Sequence, residues 1–201
     1  MTDGEKWGLG DILYGVIVPC IVAALIIIFP AYLKSIIADP TLQAIFVDGL
    51  GEAILIIAVP MLFGLLWNRW AGGAAGFLLG SIYALYINDM YVQYSTMYPE
   101  YQPNDISTLG YVVCAMLTGY LAGALNKGSF SFKRMIVAGL ASGIIGGFFL
   151  LWTQIISPLG MVTDIAYALF ITLLPRIIYG IIIPVISKVF IWYNVLPRRP
   201  T

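Results

Sequence analysis

The sequence predicts an all-α membrane protein, a compact bundle of six transmembrane helices in which residues 1–201 form a single transmembrane domain. Two observations support this class. Of the 201 residues, 61% are hydrophobic and only 10% are charged, more apolar surface than a soluble domain of this size can bury. The apolar residues also fall into six runs that are each long enough to cross a bilayer as a helix.

The six predicted spans follow one another with short connections. They cover residues 12–37, 42–67, 71–94, 108–125, 134–157 and 165–195. The segment before the first span is polar and of mixed charge, unlike a cleavable signal, so we expect this span to be retained. Short connections predict that consecutive helices are antiparallel neighbours.

Basic residues indicate the orientation of the spans. With the N-terminus inside, Lys34 is the one basic residue of the outer segments, and seven belong to the inner segments: Lys6, Arg69, Lys127, Lys133, Arg134, Arg198 and Arg199. Inner loops of membrane proteins are enriched in lysine and arginine. The sequence therefore predicts a multi-pass protein of the cell membrane with both termini in the cytoplasm.

Two carboxylates lie inside the second predicted span. Asp48 and Glu52 are one helical turn apart, although a charge at membrane depth costs several kcal/mol and normally faces a partner or a water-filled cavity. Counting about 1.5 Å per residue, Glu52 and Arg176 of the sixth span lie at similar depths of roughly 15 and 16 Å. We expect them to form an ion pair, either as part of a ligand site or as a staple between two helices. Asp48 is then the better candidate for touching a polar or cationic ligand.

Prolines and tyrosines add to this region. Pro60, Pro175 and Pro184 are predicted to break or kink their helices and free backbone carbonyls. The end of the third span places Tyr86, Asn88 and Asp89 near the outer surface, as candidate ligand contacts. Tyrosines crowd the same stretch and predict either an interfacial belt or a lid over a pocket: Tyr83, Tyr86, Tyr91, Tyr94, Tyr98 and Tyr101.

Glycines recur every fourth residue in two spans. The series are Gly72, Gly76 and Gly80 in the third span, and Gly139, Gly143 and Gly147 in the fifth. A spacing of four places these residues on one helix face, where they let neighbouring backbones approach closely.

Several functions are excluded or disfavoured by what the sequence lacks. Without histidine, and with only Cys20 and Cys114, neither a metal site nor a disulfide framework nor a histidine triad is expected. No nucleophile and base form a recognisable set, so we do not expect an enzyme. No nucleotide motif is present and no cofactor is predicted. A net charge of zero gives no reason to expect nucleic acid as a partner.

Two hairpins carry a resemblance to a known family. Residues 59–81 read VPMLFGLLWNRWAGGAAGFLLGS and residues 117–134 read LTGYLAGALNKGSFSFKR, before a glycine-rich fifth span. In layout and in these hairpins the chain resembles the S-component, the substrate-binding membrane subunit of energy-coupling factor transporters. The resemblance implies a protein that captures a vitamin-like small molecule or a metal and works with a separate coupling protein and two ATPases. The lack of histidine disfavours the cobalt and nickel branch.

Two functions are therefore predicted. The first is a substrate-capture subunit of a small-molecule uptake transporter that is energised by separate ATPases, with a ligand site formed by Asp48, Glu52, Tyr86, Asn88, Asp89 and Arg176. The second is a non-catalytic accessory subunit of a larger membrane complex, in which the glycine faces bind neighbouring subunits. Both place the chain among membrane lipid and other membrane subunits.

Overall fold

A computed structural model of the protein describes residues 50–96, 104–158 and 162–193. Its internal contacts divide the chain into two units, Met1–Gly51 and Glu52–Thr201. Of the first unit, only the last two residues are described. The residues outside these stretches include the first predicted span, residues 42–49 of the second, Asp48, Tyr98 and Tyr101.

Helices make up all the regular structure of these three stretches. A helical turn α1 (Leu50–Glu52), a π-helix (Ala53–Ala58) and α2 (Val59–Leu66) follow one another directly. Four longer helices come next: α3 (Arg69–Ser95), α4 (Ile106–Asn126), α5 (Phe132–Ile156) and α6 (Ile165–Trp192). These four are long and apolar enough to cross a membrane. The chain is therefore a multi-pass helical membrane protein, and the bounds of α3 to α6 lie within about three residues of the predicted spans.

Polar residues mark where the long helices begin and end. The side chain of Asn68 accepts a hydrogen bond from the backbone N–H of Ala71 at 2.8 Å and so caps the first turn of α3. Asp164 caps α6 in the same way, with its Oδ1 2.9 Å from the N–H of Ala166. Such caps satisfy donors that a helix cannot pair within itself. Lys127 ends α4 in the left-handed conformation, with φ of 51°.

Consecutive long helices pack as antiparallel neighbours, as the short connections predict. Helix α4 contacts α2, α3 and α5, while α6 packs mainly against α5 and also contacts α2 and the π-helix. The pairing of α3 with α4 runs from Gly72 opposite Gly119 to Gly80 opposite Val112. The numbering rises along one helix as it falls along the other, which establishes the antiparallel direction.

We call the contact between α3 and α4 the glycine seam. Its members are Gly72, Gly76 and Gly80 on α3 and Gly119, Ala115 and Val112 on α4. A Cβ added to Gly72 would lie 2.7 Å from the carbonyl carbon of Gly119, closer than real Cβ atoms come to other heavy atoms. The predicted glycine face is therefore confirmed as a backbone-to-backbone contact, since only glycine fits there.

The prolines of two helices have different effects on helix continuity. Before Pro60 the helix widens into the π-helix, and the N–H of Val59 bonds the carbonyl of Ile54 five residues back. Proline has no N–H and its ring collides with the carbonyl four residues earlier, which accounts for the wider turn. Helix α6, in contrast, runs through Pro175 and Pro184 without a break. Of the predicted break or kink, the break is wrong, because each proline removes one hydrogen bond and the remaining ladder continues. The kink stays a prediction.

Candidate functional site

The predicted ion pair between Glu52 and Arg176 is confirmed. Arg176 Nη2 donates to Glu52 Oε1 at 2.9 Å. Arg176 lies eleven residues into α6, roughly 16 Å along its axis, and its side chain is only 2% exposed. The side chain of Glu52 is 29% exposed, so the two charges have unequal surroundings. The cation is enclosed, while the carboxylate is partly open.

Glycines of α5 make room for the arginine. A Cβ added to Gly147 would lie 2.6 Å from Arg176 Cδ, and one added to Gly143 would lie 3.0 Å from the Arg176 carbonyl oxygen. We call Gly143 and Gly147 the arginine groove. Gly147 lies against the stem of the long charged side chain, and Gly143 lies against the backbone carbonyl of the same residue. The glycine seam, in contrast, has no charged side chain between its two backbones.

The guanidinium has further partners besides Glu52. Its Nη1 donates to the carbonyl oxygen of Thr172, one turn earlier in α6, at 2.6 Å. Its Nη2 also lies 3.7 Å from Cys114 Sγ on α4. The remaining nitrogen, Nε, is buried and has no hydrogen-bond partner among the described residues. Buried donors without an acceptor are rare in proteins because each carries a desolvation cost.

Helix α4 contributes a polar stripe that the sequence analysis did not identify. Ser107, Tyr111, Cys114 and Thr118 follow one another at spacings of four, three and four residues, which places them on one helix face. Tyr111 interacts electrostatically with both Glu52 and Arg176. Gly146 of α5 fits closely against Thr118 and Cys114. A polar stripe with this spacing in an apolar helix was the signal that could have found Tyr111 and Cys114.

The other predicted site residues lie at the end of α3. The ring of Tyr86 is 6.0 Å from that of Tyr83, which is 5.0 Å from that of Tyr111, so tyrosines connect Tyr86 to the ion pair. Asn88 accepts a hydrogen bond from the N–H of Asn104 at 2.6 Å, and Asp89 accepts one from Gln93 at 2.9 Å. The Asn88 contact joins α3 to the residues just before α4, and the Asp89 contact lies within α3. A ligand role for either residue stays a prediction.

Asp105, a second carboxylate, is buried where α4 begins. Its Oδ1 accepts hydrogen bonds from the Ser107 N–H and the Ser157 hydroxyl, each at 2.8 Å. Burial of the carboxylate raises its pKa, but the hydrogen bonds from Ser107 and Ser157 outweigh this effect and leave the pKa below its ordinary value of 3.8. Because Ser157 directly follows α5, Asp105 ties the ends of two helices together.

The opposite ends of these helices are held by different contacts. Asn126, fully buried at the end of α4, donates to the Leu65 carbonyl oxygen at 3.1 Å. Lys188 of α6 reaches the Phe130 carbonyl oxygen at 3.0 Å, in the turn between α4 and α5. Both contacts satisfy carbonyls at or just past a helix end, so they have a structural explanation.

The centre around Arg176 has the chemistry of a binding site. It offers a fixed guanidinium, a partly open carboxylate and neighbouring tyrosine rings. Within the described stretches no three His, Cys, Asp or Glu side chains lie close enough together to hold a metal ion.

No protein-family model, curated protein or solved structure matches the chain.

Proposed function

We propose that the protein is the substrate-capture subunit of a small-molecule uptake transporter, similar to the S-component of energy-coupling factor transporters. In this proposal six helices cross the cell membrane and both termini are cytoplasmic. A vitamin-like ligand is held beside Arg176 and Glu52. Separate ATPases and a coupling protein supply the energy for its release inside.

The observation that carries the proposal is the unequal burial of the two charges. A charge inside a membrane protein normally faces a partner, a cavity or a pathway. Here the guanidinium is enclosed by α4, α5 and α6 and keeps a buried Nε that has no acceptor among the described residues, while Glu52 remains 29% exposed. A ligand that reached the open side of Glu52 would meet the edge of a positioned cation.

A purely structural role explains this arrangement less well. Buried ion pairs often add little net stability, because desolvation of both charges offsets their attraction. A staple also works best when every donor is satisfied, and Arg176 Nε has no acceptor in the part of the chain that the structure describes. Glycines that clear a groove for the arginine further favour a role for the cation itself.

The alternative, an accessory subunit, draws support from the outer surface of α6. Among the four long helices, α6 buries the smallest share of its most apolar stretch. Its exposed side chains include Ile177, Ile178, Ile181, Ile182, Val185, Ile186 and Val189. A surface of this kind suits lipid or a neighbouring membrane subunit, and a capture subunit needs such a surface as well.

Mass spectrometry of small molecules that co-purify with the protein in detergent tests the proposal. We expect the wild type to carry a small molecule and Arg176→Gln to lose it, because the substitution removes the cation. Lys188→Gln is the matched control, since it removes a cation of the same helix whose contact is the Phe130 carbonyl. It should keep the molecule.

Equal ligand content in wild type and Arg176→Gln would contradict the proposal. Loss of assembly with a partner membrane protein, together with unchanged ligand content, would favour the accessory subunit. Size-exclusion profiles and helix content of each variant show whether the fold survives.

A further inference from the structure

We propose that the centre around Arg176 binds a ligand that has one carboxylate on a flat apolar group. In the ligand-free protein, Glu52 occupies the position beside Arg176 that the carboxylate of the ligand takes on binding. The inference deepens the proposed capture function and rests on it. It concerns the chemical class of the ligand and the role of Glu52.

Arg176 is fixed from several sides. Its stem lies in the arginine groove, its Nη1 is bound to the Thr172 carbonyl in the same helix, and Cys114 Sγ is 3.7 Å from Nη2. These contacts do not involve Glu52. The guanidinium would therefore keep its position if Glu52 moved away, and a preorganised cation binds an anion at a lower entropic cost.

Within the described stretches, Glu52 has fewer contacts that fix its position than Arg176 has. One carboxylate oxygen makes the contact with Arg176, and the side chain is 29% exposed. Arginine and carboxylate commonly pair through two parallel hydrogen bonds, which this pair does not form. Glu52 also stands at the junction of α1 and the π-helix, and π-helical turns are local irregularities that frequently occur at functional sites. A second carboxylate can therefore replace that of Glu52 without disturbing the long helices.

Charge decides which ligand fits. Arg176 carries one positive charge and Glu52 one negative charge. When a monocarboxylate pairs with Arg176, Glu52 loses its partner, and its partly exposed carboxylate must then be solvated. A dianionic phosphate would add a further charge to a site of low dielectric. An ammonium compound would either bring a second positive charge close to the enclosed arginine at the open oxygen of Glu52, or draw Glu52 away and leave that arginine unpaired, which is the costliest arrangement.

Tyrosine rings indicate the shape of the rest of the ligand. Tyr111 interacts with both charges and is only partly buried. The rings of Tyr111 and Tyr83 meet edge to face at 5.0 Å. Aromatic side chains of this kind favour flat apolar groups through stacking and edge contacts.

Benzoate, benzamide and benzylamine are probes that share one body and differ in charge. Their binding to the full-length protein in detergent is measured by calorimetry and by the shift of the unfolding midpoint. Of the three probes, we expect only benzoate to bind the wild type. Glu52→Gln should bind benzoate about tenfold more tightly, since the competing carboxylate is gone. Arg176→Gln should bind none of the three.

The contrary results are distinct. Binding of benzylamine in preference to benzoate, or a benzoate affinity that Glu52→Gln leaves unchanged, would overturn the inference. If Glu52→Gln folds only in the presence of a ligand, recovery of folded protein by benzoate but not by benzamide supports the inference, and equal recovery by both overturns it.

The two proposals can fail separately. A molecule that co-purifies in an Arg176-dependent manner and lacks a carboxylate would overturn the ligand class and leave the capture function standing. Benzoate binding as expected, without any Arg176-dependent molecule in purified protein, would leave the carboxylate site standing and count against capture.

Discussion

The glycine seam and the arginine groove use the same sequence pattern for opposite purposes. In both, glycines recur every fourth residue on one helix face. At the seam, Gly72 meets the backbone of Gly119, so two helices approach as closely as main chains allow. At the groove, Gly147 meets Arg176 Cδ, and the space admits a charged side chain. A stripe of glycines therefore predicts that a neighbouring group packs closely against the helix, but it does not predict whether that group is a backbone or a side chain.

The largest effect is expected at the seam. Gly72→Leu places a side chain where a Cβ would already lie 2.7 Å from the Gly119 carbonyl carbon and from the Gly64 Cα. Backbone cannot swing aside as a side chain can, so we expect a loss of about 3 kcal/mol or more in the free energy of unfolding. Thermal or denaturant unfolding in detergent measures the loss.

Gly73→Ala is the matched control for the seam. The atoms nearest to a Cβ at Gly73 would all belong to Tyr120, at 3.4 Å or more, which is ordinary van der Waals contact, so we expect a change below about 0.5 kcal/mol. Similar losses for Gly72→Leu and Gly73→Ala would show that the two faces of α3 do not differ as described.

The next effect concerns the ion pair. Arg176→Met leaves Glu52 unpaired, and Glu52→Gln leaves a buried cation unpaired, which costs roughly 3 kcal/mol or more when both groups are enclosed. Because Glu52 is partly exposed, Arg176→Met should destabilise the protein less than Glu52→Gln. A double-mutant cycle on the free energy of unfolding measures the coupling, and equal costs of the two substitutions would contradict the unequal roles of the charges.

A smaller loss is expected in the arginine groove. Gly147→Ala pushes on Arg176 Cδ, which is a side-chain atom and can yield, so we expect about 1–2 kcal/mol of destabilisation. Gly51→Ala serves as control, because a Cβ there would meet none of the described residues within 4 Å. If Gly147→Ala proves as costly as Gly72→Leu, the groove behaves like a second backbone seam.

The smallest effect is expected at Asp105, outside both regions. Asp105→Ala removes a helix cap and the bond to Ser157, which should cost about 1 kcal/mol at neutral pH. The pKa of Asp105 is lowered in the folded protein, so its stabilisation is present above the unfolded value of 3.8 and is lost as pH falls through the lower folded value. The free energies of unfolding of wild type and Asp105→Asn should therefore become equal only in strong acid. A difference between them that does not change with pH would contradict this interpretation.

The long helices were predictable because bilayer length and hydrophobicity determine them. Spans predicted at 71–94 and 165–195 correspond to Arg69–Ser95 and Ile165–Trp192. The pairing of Glu52 with Arg176 also followed from sequence, since two charges at equal depth in an apolar bundle have strong reason to meet.

The surroundings of the pair could not be predicted in the same way. Which glycines face a backbone and which face Arg176 depends on how the helices are rotated against each other, and the spacing alone does not contain that information. Cys114 and Tyr111 were overlooked because each seemed an ordinary residue of an apolar span. The unbroken α6 shows that proline alone does not determine a break, because the flanking hydrogen bonds can hold the helix together.

The most direct test of the central claim, that the charged centre serves binding more than stability, is the ligand content of Glu52→Gln/Arg176→Met. This double variant carries no charge at the centre and should fold about as well as the wild type, since a neutral replacement of a buried pair is often tolerated. The account predicts folded protein that carries no co-purified small molecule by mass spectrometry. Folded protein with the ligand content of the wild type would contradict it.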